Sequence, residues 1–458
     1  MPNIPPPKPR RTKRTVHESA RNPVPPQSSP QAKPPQQAAI TPARSAAFDI
    51  LVRVADTSAH SDDLLHGPGM SLLSQADRNL AHTLVMGVLR WQIALDARMQ
   101  PLLQRPDQAL PTQVATALRM GAFQLLHLDR IPAHAALSES VELVRAAGHP
   151  HAAGMVNAIL RKLTRQPPAK PKIYETTAVF AERLGHPLWL VDRWVQNYGR
   201  AAALAICTHD QSEPQPSSLF PPAAPSDSPH LLESLHLDDG SRLVAELAAA
   251  VHPDPARIWD TCAAPGGKTL VLARRHPTAH LLATDANPRR FQALATRLEA
   301  LAPEARTLHA DATALPADLG LFDLILCDVP CSGTGTLSRN PEIRQRLQPS
   351  DLSRQSARQR EILTAALSRM APGGHLLYST CSLEPEENEQ VVNAALAATP
   401  GITKVALDPI FSQLADVGLV APGAHTDLFR EGQLRTLPDT NFSGDGFFAA
   451  LLHRTKAS

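Results

Sequence analysis

The chain has 458 residues, 43% of them apolar, and a formal net charge of +2. That length exceeds one ordinary core, so two or three units are expected, and a charge this near zero does not by itself announce a nucleic-acid binder. Its five cysteines are scattered and odd in number, no apolar run approaches the roughly 20 residues of a membrane helix, and the N-terminus has no apolar signal core; a disulfide scaffold and a membrane span are excluded, and a soluble cytoplasmic protein is expected.

Residues 1–42 are rich in Pro, Gln and Ser. They carry Lys8, Arg10, Arg11, Lys13, Arg14, Arg21 and Lys33 against Glu18 alone. Such a segment buries too little apolar surface to offset its ordering entropy and reads as a disordered basic tail, at most an accessory attraction for phosphates. Residues 43–168 read as helical. Ala47, Ile50, Leu51 and Val54 share one face, and Asp77 is placed to cap a helix carrying Ala81, Leu84, Val85, Val88 and Leu89. Leu118, Ala122, Leu125 and Leu126 repeat the spacing, as do Met155, Val156, Ile159, Leu160 and Leu163. Short polar or Pro-containing joints predict a compact helical bundle. Its last helix ends in Arg161, Lys162 and Arg165, explained either by dipole pairing or by an RNA-facing patch. Residues 169–235 hold a shorter helical stretch and then a Pro- and Ser-rich break from Glu213 to Pro229, read as a linker or long loop.

From 236 on, helices and strands alternate. A helix Ser241–Val251 precedes a strand Arg257–Asp260, a Gly-rich turn and a helix Thr269–Arg275. A strand from His280 ends at Asp285, a helix spans Pro288–Leu301, and further strands end at Asp311 and Asp328. A helix Ser353–Met370 leads through Pro372, Gly373 and Gly374 into a strand His375–Ser379. That order predicts a parallel sheet covered on both faces, with ligands bound beyond the carboxyl ends of the strands.

The turn Cys262, Ala263, Ala264, Pro265, Gly266, Gly267, Lys268 lies between a strand and a helix. Small residues let the backbone approach a ligand, and a helix N-terminus offers amides to an anion. Asp285 falls 18 residues after Gly267, a spacing that suits a ribose diol. An adenosine-containing ligand fits, with Asp311 accepting from the adenine amino group. The phosphate-loop pattern G-x-x-x-x-G-K-[ST] fails because Cys262 stands at its first Gly, and G-x-G-x-x-G is absent. A tight turn with no ligand is the bland alternative.

Asp328 and Cys331 stand at the mouth of one strand and Cys381 at the end of the next. Zinc would need a second ligand pair or a nearby His, and alternation puts Cys327 in the core, so no metal is expected. Methylation of a pyrimidine at carbon 5 gives these groups a purpose. A thiolate added at carbon 6 makes carbon 5 nucleophilic, and an acid neutralises the charge developing on nitrogen 3. Methylation of an exocyclic amine needs no thiol, and its usual [DNS]-P-P-[YFW] motif would place an aromatic at Cys331. The pattern alone does not say which cysteine attacks.

The C-terminal half closely resembles the Sun/RsmB/Nop family of RNA cytosine-5 methyltransferases. The resemblance rests on DTCAAPGGK (260–268), Asp285, the HADA stretch around Asp311, DVPCSGTG (328–335), RNPEI (339–343), YSTCSLEPEENE (378–389) and DGFFAALL (445–452). The helices from about 43 to 165 resemble the NusB-type RNA-binding domain of the family's bacterial branch that modifies small-subunit ribosomal RNA. The resemblance implies an all-α NusB-like domain before an α/β Rossmann-like S-adenosylmethionine-dependent methyltransferase domain. It implies that Cys262 to Lys268, Asp285 and Asp311 hold S-adenosylmethionine and that Asp328 contacts cofactor and base. Cys381 would attack carbon 6 and Cys331 would assist release. RNA, most naturally ribosomal RNA, is the implied partner; separately, a monomer is expected. The chain departs from the family pattern in its middle, where a Pro/Ser stretch replaces a longer α/β RNA-binding segment, and at Arg344, where Lys is common. The shortened middle motivates an alternative: an RNA-binding or ribosome-assembly factor with a retained cofactor pocket and little catalysis.

Overall fold

The computed structural model describes residues 40–166, 175–214, 219–220, 237–421 and 427–456. The basic tail up to residue 39, and the Pro/Ser-rich stretch over 215–218 and 221–236, lie outside the described residues. No described helix is long and apolar enough to cross a membrane.

The first half is helical, as its periodicity predicts. Helices Pro42–Asp56, Gln75–Met99, Thr112–His127, Ala133–Ala146 and Ala153–Leu163 share one apolar core. Ala47, Ile50, Leu51, Val54, Leu84, Val85, Val88, Val156, Ile159 and Leu160 are all buried in it. One capping assignment is corrected: Ser74, not Asp77, is the N-cap of Gln75–Met99. Ser74 is extended, so its Oγ reaches the Asp77 amide at 3.1 Å, while Asp77 already lies inside the first turn. A buried polar lock ties the bundle together. Arg44 donates to Gln124 Oε1 at 2.7 Å and to Glu139 Oε1 at 2.9 Å, and Glu139 Oε2 accepts from the Thr41 amide at 2.8 Å. Arg161, Lys162 and Arg165 are exposed.

Helices Thr177–Arg183, Leu188–Tyr198 and Arg200–His209 form a second cluster. Its core, Phe180, Leu190, Trp194, Ile206 and Cys207, also takes in Leu337 and Leu383 from the loops beyond the sheet. This stretch is therefore packed against the second half rather than strung between halves.

The second half is built on one nine-stranded sheet among the described residues. Strands β1 (Arg257–Asp260), β2 (His280–Asp285), β3 (Arg306–His309), β4 (Phe322–Asp328) and β5 (Met370–Thr380) run parallel in the order β3-β2-β1-β4-β5. The parallel-sheet expectation holds for these five and stops there. Strand β9 (Phe447–Arg454) joins β5 antiparallel. Beyond it β6 (Ile402–Val405) and β8 (Gln433–Thr436) pair with its two halves, and β7 (Phe429–Arg430) closes the edge. Side chains alternate between two cores. Leu324, Leu326, Leu377, Ala449 and Leu451 face one, while Ile325, Cys327, Leu376, Tyr378, Phe448 and Ala450 face the other. Cys327 is thus a core residue, as its position in the strand predicts. Sheets buried on both faces read as nearly continuous apolar runs, which is why β4 and β9 show no polar alternation.

The segment Arg339–Arg346 wedges between the two halves. Glu342 accepts from the Ser61 amide at 3.1 Å and from Ser61 Oγ at 2.9 Å. Arg346 Nη2 donates to the carbonyls of Val54 and Ala59, each at 2.7 Å. Arg344 is 2% exposed and donates to Arg90 O at 2.8 Å and Asp210 O at 2.7 Å. Burial pulls its guanidinium down to about 10, with Asp210 opposing the shift. Arg344→Ala leaves several buried acceptors unpaired and should cost about 2–4 kcal/mol of stability. Arg344→Lys should recover part of that, since one ammonium cannot span carbonyls a planar fork reaches. Urea unfolding checks this, and a wild-type midpoint for Arg344→Ala would contradict it.

Candidate active site

Strand β1 ends at Asp260, where the chain turns over Thr261–Gly266 into the helix Gly267–Arg275. Thr269 Oγ1 donates to Asp260 Oδ2 at 2.7 Å, pinning strand end to first helical turn. Burial pushes the Asp260 carboxyl up to about 7. The turn needs Gly266 at φ +100°, the left-handed region where a Cβ is disfavoured; a Cβ there would also stand 3.0 Å from Leu294 Cδ1. The Ala263 amide donates to Thr284 O at 2.8 Å and the Ala264 amide to Asp285 Oδ2 at 3.3 Å. Asp285 Oδ1 accepts from the Asn287 amide at 2.8 Å.

The small-residue turn and the second-strand acid therefore touch, as the sequence spacing predicts. This donor set fits an adenosine ligand, with a carboxylate for the ribose hydroxyls beside a backbone that close approach requires. Burial pushes the Cys262 thiol up to about 12, which makes it a wall of this turn rather than a nucleophile. Asp311 lies two residues past β3. Its Oδ1 accepts from the Thr313 amide at 2.9 Å, and its Oδ2 is paired with Arg358.

The neighbouring strand ends carry the reactive groups. Asp328 and Ser379 are register partners on β4 and β5, and Ser379 Oγ donates to Asp328 Oδ1 at 2.7 Å. Lys268 Nζ lies 2.7 Å from Asp328 Oδ2. Cys331 Sγ and Cys381 Sγ, both half-buried, are 3.3 Å apart. The loop after β4 is sewn to the loop that carries Cys381. The Gly335 amide donates to Cys381 O at 2.9 Å, and the Gly446 amide to Gly335 O at 2.7 Å. A Cβ on Gly335 would fall 2.1 Å from Gly446 O, so only glycine permits this crossing.

The hydrogen bond shared with Cys381, and then removal from water, push the Cys331 thiol well above its ordinary value. Burial acts to lower the Lys268 pKa, but the Asp328 carboxylate outweighs it and the net shift is upward, with Asp238 and Cys381 adding to the rise. A fixed positive charge therefore stands against Asp328 at the strand ends that also carry the two sulfurs.

Every residue singled out from the sequence lies at this rim of the sheet, with two changes of emphasis. Lys268, read as part of the cofactor turn, is paired across to Asp328 on the reaction side. Ser379, Gly446 and Glu387 were not singled out individually, although they lie within the stretches 378–389 and 445–452; their contacts are made across segments far apart in the chain.

Comparison with known proteins agrees with this geometry. The sequence profile described as 16S rRNA methyltransferase RsmB/F matches residues 248–453, and that of the NusB family matches residues 41–165. The ribosomal RNA small subunit methyltransferase B of Xanthomonas campestris is 33% identical over 83% of this chain and 93% of its own. The protein of that name in Citrobacter koseri is 30% identical over 89% and 98%. Among solved structures, the crystal structure of PH0851 superposes with a TM-score of 0.72 at 21% identity, covering 92% of this chain and all of that one, and shares the fold.

Proposed function

Because this chain belongs to the ribosomal RNA small subunit methyltransferase B family and methylates RNA with S-adenosylmethionine, we propose that its target atom is carbon 5 of a cytosine in small-subunit ribosomal RNA, attacked through a covalent bond to Cys381. One observation carries this reading: two sulfurs 3.3 Å apart beside the Lys268–Asp328 pair. Transfer to an exocyclic amine or a ribose hydroxyl has no use for either thiol.

S-adenosylmethionine supplies an electrophilic methyl group. The chain's own groups prepare the base to receive it. Asp285 takes the ribose hydroxyls beside the Cys262–Gly267 turn, and Asp311, steadied by Arg358, takes the adenine end. The Cys381 thiolate adds to carbon 6, and the electron pair displaced toward nitrogen 3 is met by the Lys268–Asp328 pair. Such fixed charges act most strongly in a site shielded from water. Carbon 5 is then electron-rich and takes the methyl group.

Release requires loss of the carbon 5 proton and rupture of the carbon 6–sulfur bond. Cys331, 3.3 Å from Cys381, gives its own proton to solvent and then, as a thiolate, takes the carbon 5 proton, while the electron pair left on carbon 5 expels the Cys381 thiolate from carbon 6. The same site would be idle in an assembly factor, although so many buried bonds hold it. The substrate places the work in the cytoplasm.

Mapping 5-methylcytosine in ribosomal RNA from a strain lacking this protein tests the reading. One small-subunit cytosine should lose its 5-methyl group and regain it on complementation. An unchanged map, or loss of an N-methyl group instead, overturns it.

A further inference from the structure

Glu387 is fully buried, and among the described residues no ion pair to it is seen. A buried carboxylate without a countercharge is costly unless hydrogen bonds replace its water. Here they do, and they come from a telling set of partners. Glu387 Oε1 accepts from the Ser332 amide at 2.8 Å and from Gln359 Nε2 at 3.0 Å. Its Oε2 accepts from the hydroxyls of both Ser332 and Ser382. Ser332 follows Cys331 and Ser382 follows Cys381. One carboxylate thus grips the residues adjoining both sulfurs.

The surroundings stiffen this grip. Tyr378 OH donates to the Glu387 carbonyl at 2.6 Å, the Leu383 amide to Thr334 Oγ1 at 2.9 Å, and the Glu384 amide to Ser382 Oγ at 3.0 Å. Cys331 and Cys381 belong to different loops, 50 residues apart in sequence. The loops are also joined directly, by the Gly335–Cys381 backbone bond at 2.9 Å and by Ser332 Oγ and Ser382 Oγ, 3.1 Å apart.

We propose that Glu387 is a positioning residue that sets the distance between the two sulfurs, and so couples attack to release; this rests on the two-sulfur reading above. Its carboxylate is bonded to Ser332, Gln359 and Ser382. Its effect runs through Ser332 and Ser382.

The test uses the full chain and two independent readouts. The first is the rate at which diamide joins Cys331 to Cys381, both thiols being oxidised to a disulfide as the diazene is reduced to a hydrazine; this reports spacing without any RNA. The second is kcat for methyl transfer, with KM for RNA and the Kd of S-adenosylmethionine measured alongside. Glu387→Ala should lower both the disulfide rate and kcat at least about tenfold, the scale a small misplacement of reacting groups costs. The Kd and KM should stay within about twofold. Glu387→Gln, which keeps the size and most of the bonding capacity, should recover most of the loss. If Glu387→Ala does not fold, Ser332→Ala and Ser382→Ala each remove one arm and should show smaller losses of the same kind. An unchanged disulfide rate in a folded variant, or a Kd that weakens in step with kcat, overturns the proposal. A disulfide rate that falls as expected in a chain whose wild type makes no 5-methylcytosine would leave the spacing role standing and sink the proposed target atom instead.

Discussion

Cys381→Ala is expected to abolish methyl transfer and to leave S-adenosylmethionine binding intact. The loss should be roughly a thousandfold or more, because removing a covalent nucleophile removes the whole low-barrier route rather than one stabilising contact. Carbon 5 of an unactivated cytosine is too poor a nucleophile for positioning alone to replace the addition at carbon 6. Binding should survive because the cofactor-facing groups are held elsewhere. The Gly266 turn is fixed by Thr269 on Asp260, and Asp285 by the amides of Ala264 and Asn287. Cys381→Ser should be nearly as inactive, since a hydroxyl does not ionise near neutral pH. Radiolabelled methyl transfer together with equilibrium cofactor binding checks both halves, and turnover near the wild-type rate would remove Cys381 from the chemistry.

For Cys331→Ala the expected outcome is different: attack proceeds and release fails. The variant keeps Cys381, the proposed attacking sulfur, so addition to the base should still occur. It lacks the second sulfur 3.3 Å away, so the carbon 5 proton has no nearby acceptor. A covalent protein–RNA species should accumulate to a large fraction of the enzyme and survive a denaturing gel. It should vanish in the Cys331→Ala, Cys381→Ala double variant. Absence of any adduct from the single variant would deny Cys331 its part in release. Because Cys331 also hydrogen-bonds Cys381, a modest change in the rate of attack is expected alongside the trapping.

The sequence was informative wherever a short-range rule applies. The helix Pro288–Leu301 is legible to the residue because Asn287 caps it and Pro288 opens it. Strands β1, β2 and β4 end at Asp260, Asp285 and Asp328, where apolar runs buried on both faces meet their first acid. The helix before β5 starts earlier than its apolar pattern shows, at Pro349, because Gln348 and Asp351 form a reciprocal cap. Strand β5 begins at Met370 and carries Pro372–Gly374 within it; that dipeptide-rich stretch reads as a turn but is accommodated as an irregularity in the pairing with β4. The antiparallel edge escaped because β9 is a continuous apolar run from Phe447 to Leu452 and β7 and β8 are short, so neither period nor punctuation marks them.

Composition and periodicity by themselves determined a helical first half, an alternating second half and the acids that close the parallel strands. Those features depend on neighbours a few residues apart. The meeting of the two sulfurs, the turning of Lys268 toward Asp328, the Gly335–Gly446 crossing and the grip of Glu387 were decided only in three dimensions. Each depends on contacts between segments some 50 to 110 residues apart in the chain, where hydrogen bonding and charge act through space and leave no periodic trace in the sequence.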